Sequence, residues 1–139
     1  METIDIFSGQ YAFLSNFYLC EVEFEGGTYP SAEHAYQAAK TTDPDVRKMI
    51  RELNSPGKAK RAGKDIRIRP DWKKWRTYYM HQILVVKFSI PELRKKLLDT
   101  GNSILIEGNV WNDTYWGVCN GRGENHLGKI LMEIRSLLE

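Results

Sequence analysis

The chain has 139 residues and a net charge of +2, with 42% hydrophobic and 27% charged residues. This balance is typical of a single soluble globular domain and excludes a disordered, collagenous or coiled-coil chain. No apolar run approaches the roughly twenty residues of a membrane-spanning helix, and two cysteines are too few for a disulfide framework.

The first half of the chain predicts two strands followed by three helices. Its first residues lack the basic and apolar regions of a signal peptide, which favours a cytoplasmic location. Residues 3–7 are predicted as a short strand. In residues 17–24 apolar side chains alternate with glutamates, as in a half-buried strand. The helices are predicted from their capping residues, which are Ser31 for residues 32–41, Asp43-Pro44 for a helix to residue 53, and Ser55-Pro56 for a short basic helix.

The second half predicts three more helices and one strand. Aromatic and aliphatic residues at spacings of three and four indicate a long helix over residues 71–88. A helix over residues 91–98 is closed by Gly101, and residues 103–107 form a strand. A glycine-rich loop at residues 117–123 precedes a last helix over residues 125–138. We therefore expect an α+β fold, a single compact and mostly helical domain over residues 1–139 with a small β-sheet.

Positive charge is concentrated in the middle of the chain. No lysine or arginine precedes Lys40, whereas residues 47–76 contain twelve of them against three acidic residues. Such an excess attracts an anionic ligand or nucleic acid. A solvated helical face is the alternative interpretation.

The predicted helix SAEHAYQAAK carries Glu33, Gln37 and Lys40 at positions i, i+4 and i+7, so they share one face. A carboxylate and an amine two turns apart can serve as proton shuttle and nucleophile if that face lines a pocket. An exposed polar stripe is the alternative, because such stripes are common on surface helices.

The glycine-rich segment before the last helix is a candidate anion site. Gly121, Gly123 and Asn125 precede a helix whose free backbone N–H groups are predicted to point at the loop. Neither a P-loop nor a dinucleotide fingerprint is complete, because Ile130 and His126 stand where those motifs need Ser/Thr and glycine. A loop whose glycines only make turns is the alternative.

The remaining candidates are aromatic residues and histidines. Trp111 and Trp116 flank Asp113 in a loop, where a base or nicotinamide can stack, unless the loop is simply anchored on the core. The three histidines show no metal-ligand spacing, so we predict no metal and no cofactor.

Four blocks of sequence resemble the NADAR superfamily, which includes the YbiA-like N-glycosidases. They span almost the whole chain and occur in the family's order. They are FLSNFY at residues 13–18, YPSAEHAYQAAK at 29–40, KF with LLDTG at 87–88 and 97–101, and IEGNVWNDTYWGVCNGRGENHLGKILMEIR at 106–135.

The resemblance implies a metal-independent hydrolase that cleaves the N-glycosidic bond at C1 of a phosphorylated ribose. Its implied substrates are ADP-ribose on guanine bases and early riboflavin-pathway intermediates. Glu33 would stabilise charge at C1 or shuttle the proton, and Lys40 would form a Schiff base with the opened ribose. Asp113 would hold ribose hydroxyls or assist proton transfer.

The substrate-binding residues follow from the same resemblance. Trp75 and Trp116 would form walls for the sugar and stack the base. The loop before the last helix would hold the phosphate. The full predicted set is Asn16, Phe17, Gln37, Trp75, Trp116, Gly117, Gly121, Gly123 and Asn125.

Two other functions compete with an N-glycosidase. The first is a catalytically silent ADP-ribose-binding module, against which the intact Glu33 and Lys40 argue. The second is a nucleic-acid-binding protein that uses residues 47–76, although no named nucleic-acid motif is present. A basic patch beside an enzyme site could also bring in ADP-ribosylated DNA or RNA.

Overall fold

The computed structural model describes residues 2–139, and it consists mainly of helices with a few short strands. The predicted α+β class, mostly helical, is confirmed. The elements in chain order are β1 (Thr3–Ile4), a 3₁₀ helix (Gly9–Leu14), β2 (Leu19–Phe24), β3 (Gly27–Ser31), α1 (Ala32–Ala39), α2 (Pro44–Arg51), α3 (Pro56–Ala62), α4 (Trp72–Lys87), α5 (Pro91–Asp99), β4 (Ile104–Leu105), β5 (Gly108–Asn109), β6 (Val118–Cys119) and α6 (His126–Leu138).

The chain is divided into two compact units. The central unit is Asn16–Lys87, and the terminal unit combines the chain up to Ser15 with Phe88–Glu139. The central unit holds β2, β3 and α1 to α4, and the terminal unit holds the other elements. The single domain predicted over residues 1–139 stays a prediction.

Side-chain caps fix where three helices of the central unit begin. Ser31, Asp43 and Ser55 each accept a hydrogen bond from a backbone N–H two or three residues later, at 3.1, 2.9 and 3.2 Å. These bonds satisfy donors that the first turn of a helix leaves unpaired. The three predicted helix starts are confirmed.

The hairpin of β2 and β3 is antiparallel, with Val22 opposite Tyr29. Val22 and Phe24 are buried while Glu21, Glu23 and Glu25, which alternate with them, are exposed, which confirms the predicted alternation. β3 was not predicted, because GTYPS offers only one large apolar residue and contains Pro30. Proline lacks a backbone N–H and is confined to strand edges.

The long helix α4 runs over Trp72–Lys87, close to the predicted residues 71–88. Its buried residues are Trp72, Met80, Ile83, Leu84 and Lys87. The Lys87 side chain is fully buried, with its ammonium 5.8 Å from the centre of the Tyr18 ring. Burial lowers the pKa of Lys87 to about 8, an effect that the charge of Cys20 opposes.

The terminal unit contains two parallel strand pairs, β1 with β4 and β5 with β6. Four apolar residues of α6 are buried, as its periodicity predicts, and Gly101 ends α5 at a φ of +62°. The predicted strands at residues 3–7 and 103–107 are each reduced to two paired residues. Within residues 2–139 no helix is long and apolar enough to cross a membrane, and no cluster of His, Cys, Asp and Glu is arranged to hold a metal ion.

Candidate active site

Helix α1 is buried along its whole length, including its polar residues. Glu33 and Gln37 are only 8% and 4% exposed. The alanines of the helix let neighbouring elements approach its backbone closely, and α2, α3, α4 and both strands of the hairpin pack against it. This burial excludes the alternative of a solvated polar stripe.

Glu33 is held by hydrogen bonds at both its backbone and its side chain. The Glu33 backbone N–H donates to the Asn16 carbonyl at 3.0 Å. The Gln37 Nε2 donates to Glu33 Oε2 at 2.5 Å. Asn16 Oδ1 and Gln37 Oε1 are buried and receive no hydrogen bond from any residue in 2–139. The structure brings the backbone of Asn16 and the side chain of Gln37 to Glu33, and the roles predicted for these residues stay predictions.

Gly63, just after α3, lies against the Gln37 side chain. A Cβ at Gly63 would overlap the Gln37 amide oxygen and carbon. Only glycine leaves room for the Gln37 side chain at this approach. Gly63 thereby determines where Gln37 lies, and Gln37 determines where the Glu33 carboxylate lies.

Lys40 follows the last residue of α1 and is half-buried. Its Nζ lies 5.6 Å from the centre of the Tyr36 ring, and its carbonyl accepts the Arg69 N–H at 2.8 Å. Burial lowers the pKa of Lys40, Glu33 raises it, and the positive charge of Lys64 lowers it again; the net shift is downward. A larger fraction of this amine is neutral near pH 7 than for an exposed lysine.

The two predicted aromatic residues of the central unit differ in their surroundings. Phe17 is 42% exposed, and Lys60 Nζ lies 6.0 Å from its ring centre. Trp75 is 38% exposed and has ring contacts with Lys74 and Tyr78. Its role as a wall of the sugar site stays a prediction.

In the terminal unit Asp113 organises its own loop. Its Oδ1 accepts the backbone N–H groups of Tyr115 and Trp116 at 3.1 and 2.9 Å. The Asn109 side chain donates to the Asp113 carbonyl at 2.9 Å and accepts its N–H at 3.0 Å. These bonds give Asp113 a structural role, and its predicted catalytic role stays a prediction.

The start of α6 differs from the anion site expected from the sequence. The N–H groups of His126 and Leu127 donate to the carbonyls of Tyr115 and Trp116 at 3.1 and 3.0 Å. The expectation that these groups are free is therefore wrong, because the preceding loop folds back and pairs with them. The Asn125 side chain is also engaged, through the Glu107 N–H and the Leu105 carbonyl.

The predicted glycines of this loop serve different purposes. Gly117 and Gly123 lie so close to other backbone atoms that a Cβ on either would overlap them. Gly121 has open space around it and a φ of +75°, which a turn needs. Packing and turn formation account for all three glycines, and their predicted contact with phosphate stays a prediction, as does that of Trp116 with the base.

The sequence did not single out four residues around the candidate site, which are Tyr36 within α1 and Lys60, Gly63 and Lys64 in or just after α3. Tyr36 had a signal, since it precedes Gln37 in a block used for the family resemblance. Gly63 and the two lysines had a weaker one. They occur in the segment PGKAKRAGK, where small residues alternate with cations. The sequence of this segment does not indicate that it packs against α1.

Known proteins resemble this chain over nearly its whole length. The family model described as NADAR domain matches residues 6–139. N-glycosidase YbiA of Escherichia coli K12 is 38% identical, with 94% of this chain and 84% of that protein aligned. Its NMR structure matches with a TM-score of 0.86, covering 99% of this chain and 86% of that one.

Two further relatives carry different names. An N-glycosidase of Nostoc punctiforme is 33% identical, with 90% of this chain and 84% of that protein aligned. A riboflavin biosynthesis protein of Vibrio vulnificus is 35% identical, and the alignment covers 93% of this chain but 36% of that protein.

Proposed function

Because the chain belongs to the NADAR family and is an N-glycosidase, we propose that its substrate is a ribose N-glycoside carrying a phosphate or diphosphate. ADP-ribose on a guanine base and the early ribosylamino-pyrimidine phosphates of riboflavin synthesis both have this chemistry. The name of the Vibrio relative supports the second. A cytoplasmic location is part of the same proposal.

One observation carries the assignment of the site to α1. A carboxylate and an amine, Glu33 and Lys40, share one face of a buried helix. The amine has a lowered pKa, which a nucleophilic lysine needs. The carboxylate is held in place by Gln37, as a group that transfers protons must be.

In the covalent route, departure of the nitrogen builds positive charge at C1, which Glu33 stabilises. The bond from C1 to the base nitrogen breaks, and that nitrogen takes a proton through Glu33. The neutral amine of Lys40 forms a bond to C1 and gives up its protons, the C1–O4 bond of the ring breaks, O4 takes a proton, and the opened sugar is held as an imine on Lys40. Water then adds to C1 of the imine, the bond to Lys40 breaks, and the free sugar leaves.

In the direct route, Glu33 removes a proton from water, which attacks C1 as the base departs. Lys40 then only binds a phosphate or a hydroxyl group. Both routes consume one water and release the same two products. Trapping the imine separates them.

The substrate is identified by incubating the enzyme with ADP-ribosylated guanosine in DNA and with a 5-phosphoribosylamino-pyrimidine. Mass spectrometry of the products shows which one is cut. Binding of ADP-ribose without product from either compound would establish a silent ADP-ribose-binding module and contradict the proposal.

A substrate presented on nucleic acid is the second candidate. Several basic residues between positions 47 and 76 are exposed, among them Lys48, Arg67 and Lys73. Exposed cations bind a polyphosphate backbone with little dependence on sequence. They would recruit an ADP-ribosylated strand to the same catalytic residues.

A further inference from the structure

The inward face of α3 packs against α1. Ala59 is fully buried, and Gly63, four residues later, lies against Gln37. The helical turn continues past the end of α3, because the N–H groups of Gly63 and Lys64 donate to its carbonyls at 3.0 and 3.1 Å. Lys60 and Lys64 each follow an inward residue by one position, so they lie on the same side of this helix.

Lys60 contacts the residue that follows Asn16, and Asn16 in turn is hydrogen-bonded to Glu33. Lys60 Nζ lies 6.0 Å from the centre of the Phe17 ring. Phe17 follows Asn16, whose carbonyl accepts the Glu33 N–H. An ammonium group over an aromatic face is attracted to it and spends less time in open solvent.

Lys64 lies one helical turn after Lys60, just past the end of α3. It directly follows Gly63, and its positive charge is close enough to Lys40 to lower the pKa of that amine. Residues 58–67 contain five basic residues and a single acidic one, Asp65. The positive charge of residues 58–67 therefore attracts anions to this part of the surface.

The glycine-rich loop is a weaker candidate for the same ligand. The first two N–H groups of α6 already donate to carbonyls of the loop. A phosphate would have to displace those bonds to use them.

We propose that Lys60 and Lys64 bind the phosphate attached to the ribose whose C1 reacts. This inference rests on the proposed function. The phosphate is the 5-phosphate of a ribosylamino-pyrimidine or the proximal phosphate of ADP-ribose, which are chemically alike. Lysine binds such a group as a point charge, with charge-assisted hydrogen bonds.

The test compares a 5-phosphoribosylamino-pyrimidine with the same compound after removal of its phosphate. Wild type, Lys60→Ala, Lys64→Ala and the double variant are assayed on both. We expect the double variant to lose about tenfold to a hundredfold in kcat/KM on the phosphorylated compound, since bonds to charged groups have that strength. On the dephosphorylated compound we expect only the loss that follows from the changed charge beside Lys40, so the loss there should be about tenfold smaller than on the phosphorylated compound.

The decisive quantity is the ratio of the kcat/KM values for the phosphorylated and the dephosphorylated compound. Lys64→Ala also changes the charge around Lys40, and that effect is common to both compounds. Lys58→Ala is the matched control, because Lys58 lies on the opposite flank of α3 from Lys60, and it should behave as wild type. Equal losses on both compounds, or no loss on either, would overturn the proposal.

Calorimetric titration with ribose 5-phosphate and with ADP-ribose separates this inference from the proposed function. If wild type cuts neither test compound, the proposed substrate class is wrong. The binding of ribose 5-phosphate and ADP-ribose still tests whether Lys60 and Lys64 bind a phosphate. Wild type should bind at least one of these phosphates, and the double variant should bind it at least about tenfold more weakly. Equal binding by both proteins, or no binding by wild type, contradicts the phosphate site. Lys64→Arg keeps the charge and should retain most of the affinity.

Discussion

The side-chain amide of Gln37 donates a 2.5 Å hydrogen bond to the carboxylate of Glu33, and both side chains are buried. This bond ties one oxygen of the carboxylate to Gln37. The acid–base role that we propose for Glu33 and a positioning role for Gln37 can be tested separately.

Glu33→Gln should keep the fold and most of the ligand affinity while turnover falls by about 10²- to 10⁴-fold, because a positioned acid–base group is lost. Single-turnover rates and calorimetric binding of product measure the two effects. A variant that turns over at nearly the wild-type rate would show that Glu33 is structural.

Gly63→Ala should lower kcat by on the order of tenfold to a hundredfold. The new methyl group would displace the Gln37 side chain, and the Glu33 carboxylate would then no longer be held in its position. Gly57→Ala is the control, since a Cβ there meets only the Arg61 side chain at 3.8 Å. If both variants behave alike, Gln37 does not position the carboxylate.

Lys40→Arg should abolish the covalent route, because arginine keeps its proton and cannot form an imine. Borohydride added during wild-type turnover should add a sugar-phosphate mass to the peptide that contains Lys40. The absence of an adduct together with an active Lys40→Arg protein would exclude this route and leave the attack by water.

The rate of the covalent step should rise with pH as Lys40 loses its proton. Because burial lowers the pKa of Lys40, the midpoint of the rise should lie below the ordinary lysine value of 10.5. Lys64→Ala removes a positive charge that lowers this pKa, so the rise should move to higher pH. A rise that is unchanged in this variant would mean that another group titrates.

Lys87→Met should change how stability depends on pH. The folded protein releases the Lys87 proton near pH 8, whereas the unfolded chain holds it until about 10.5, so unfolding takes up a proton between these values. Wild type should therefore gain up to about 3 kcal/mol relative to Lys87→Met across that range. Urea unfolding of both proteins at pH 7 and pH 10.5 measures the difference; a pH-independent difference would mean that Lys87 is not buried as an ammonium group.

The start and end of most helices could be predicted from sequence, because caps are local. Ser31, Asp43 and Ser55 each mark a helix that the structure contains. β3 and the 3₁₀ helix carry no such signal, and β3 has only one large apolar residue and a proline to mark it as a strand. Strand length was overestimated at residues 103–107, because β1 offers only two residues for pairing.

The catalytic face of α1 could be predicted from spacing and resemblance, but its surroundings could not. Nothing in the sequence states that Gly63 meets Gln37, since that contact depends on how α3 packs. The first N–H groups of α6 were expected to be free because a helix start leaves them unpaired. Their partners, the carbonyls of Tyr115 and Trp116, come from a loop that folds back on itself.

The reciprocal hydrogen bonds between Asn109 and Asp113 leave Val110 and Trp111 at the tip of their loop, 92% and 57% exposed. Holding a backbone residue in one conformation costs about 1–2 kcal/mol in entropy. For this tip much of that entropy is already lost when the loop folds. A flat ring that stacks on Trp111 would meet a surface already in its final geometry, and its affinity would not be reduced by the ordering of a flexible loop.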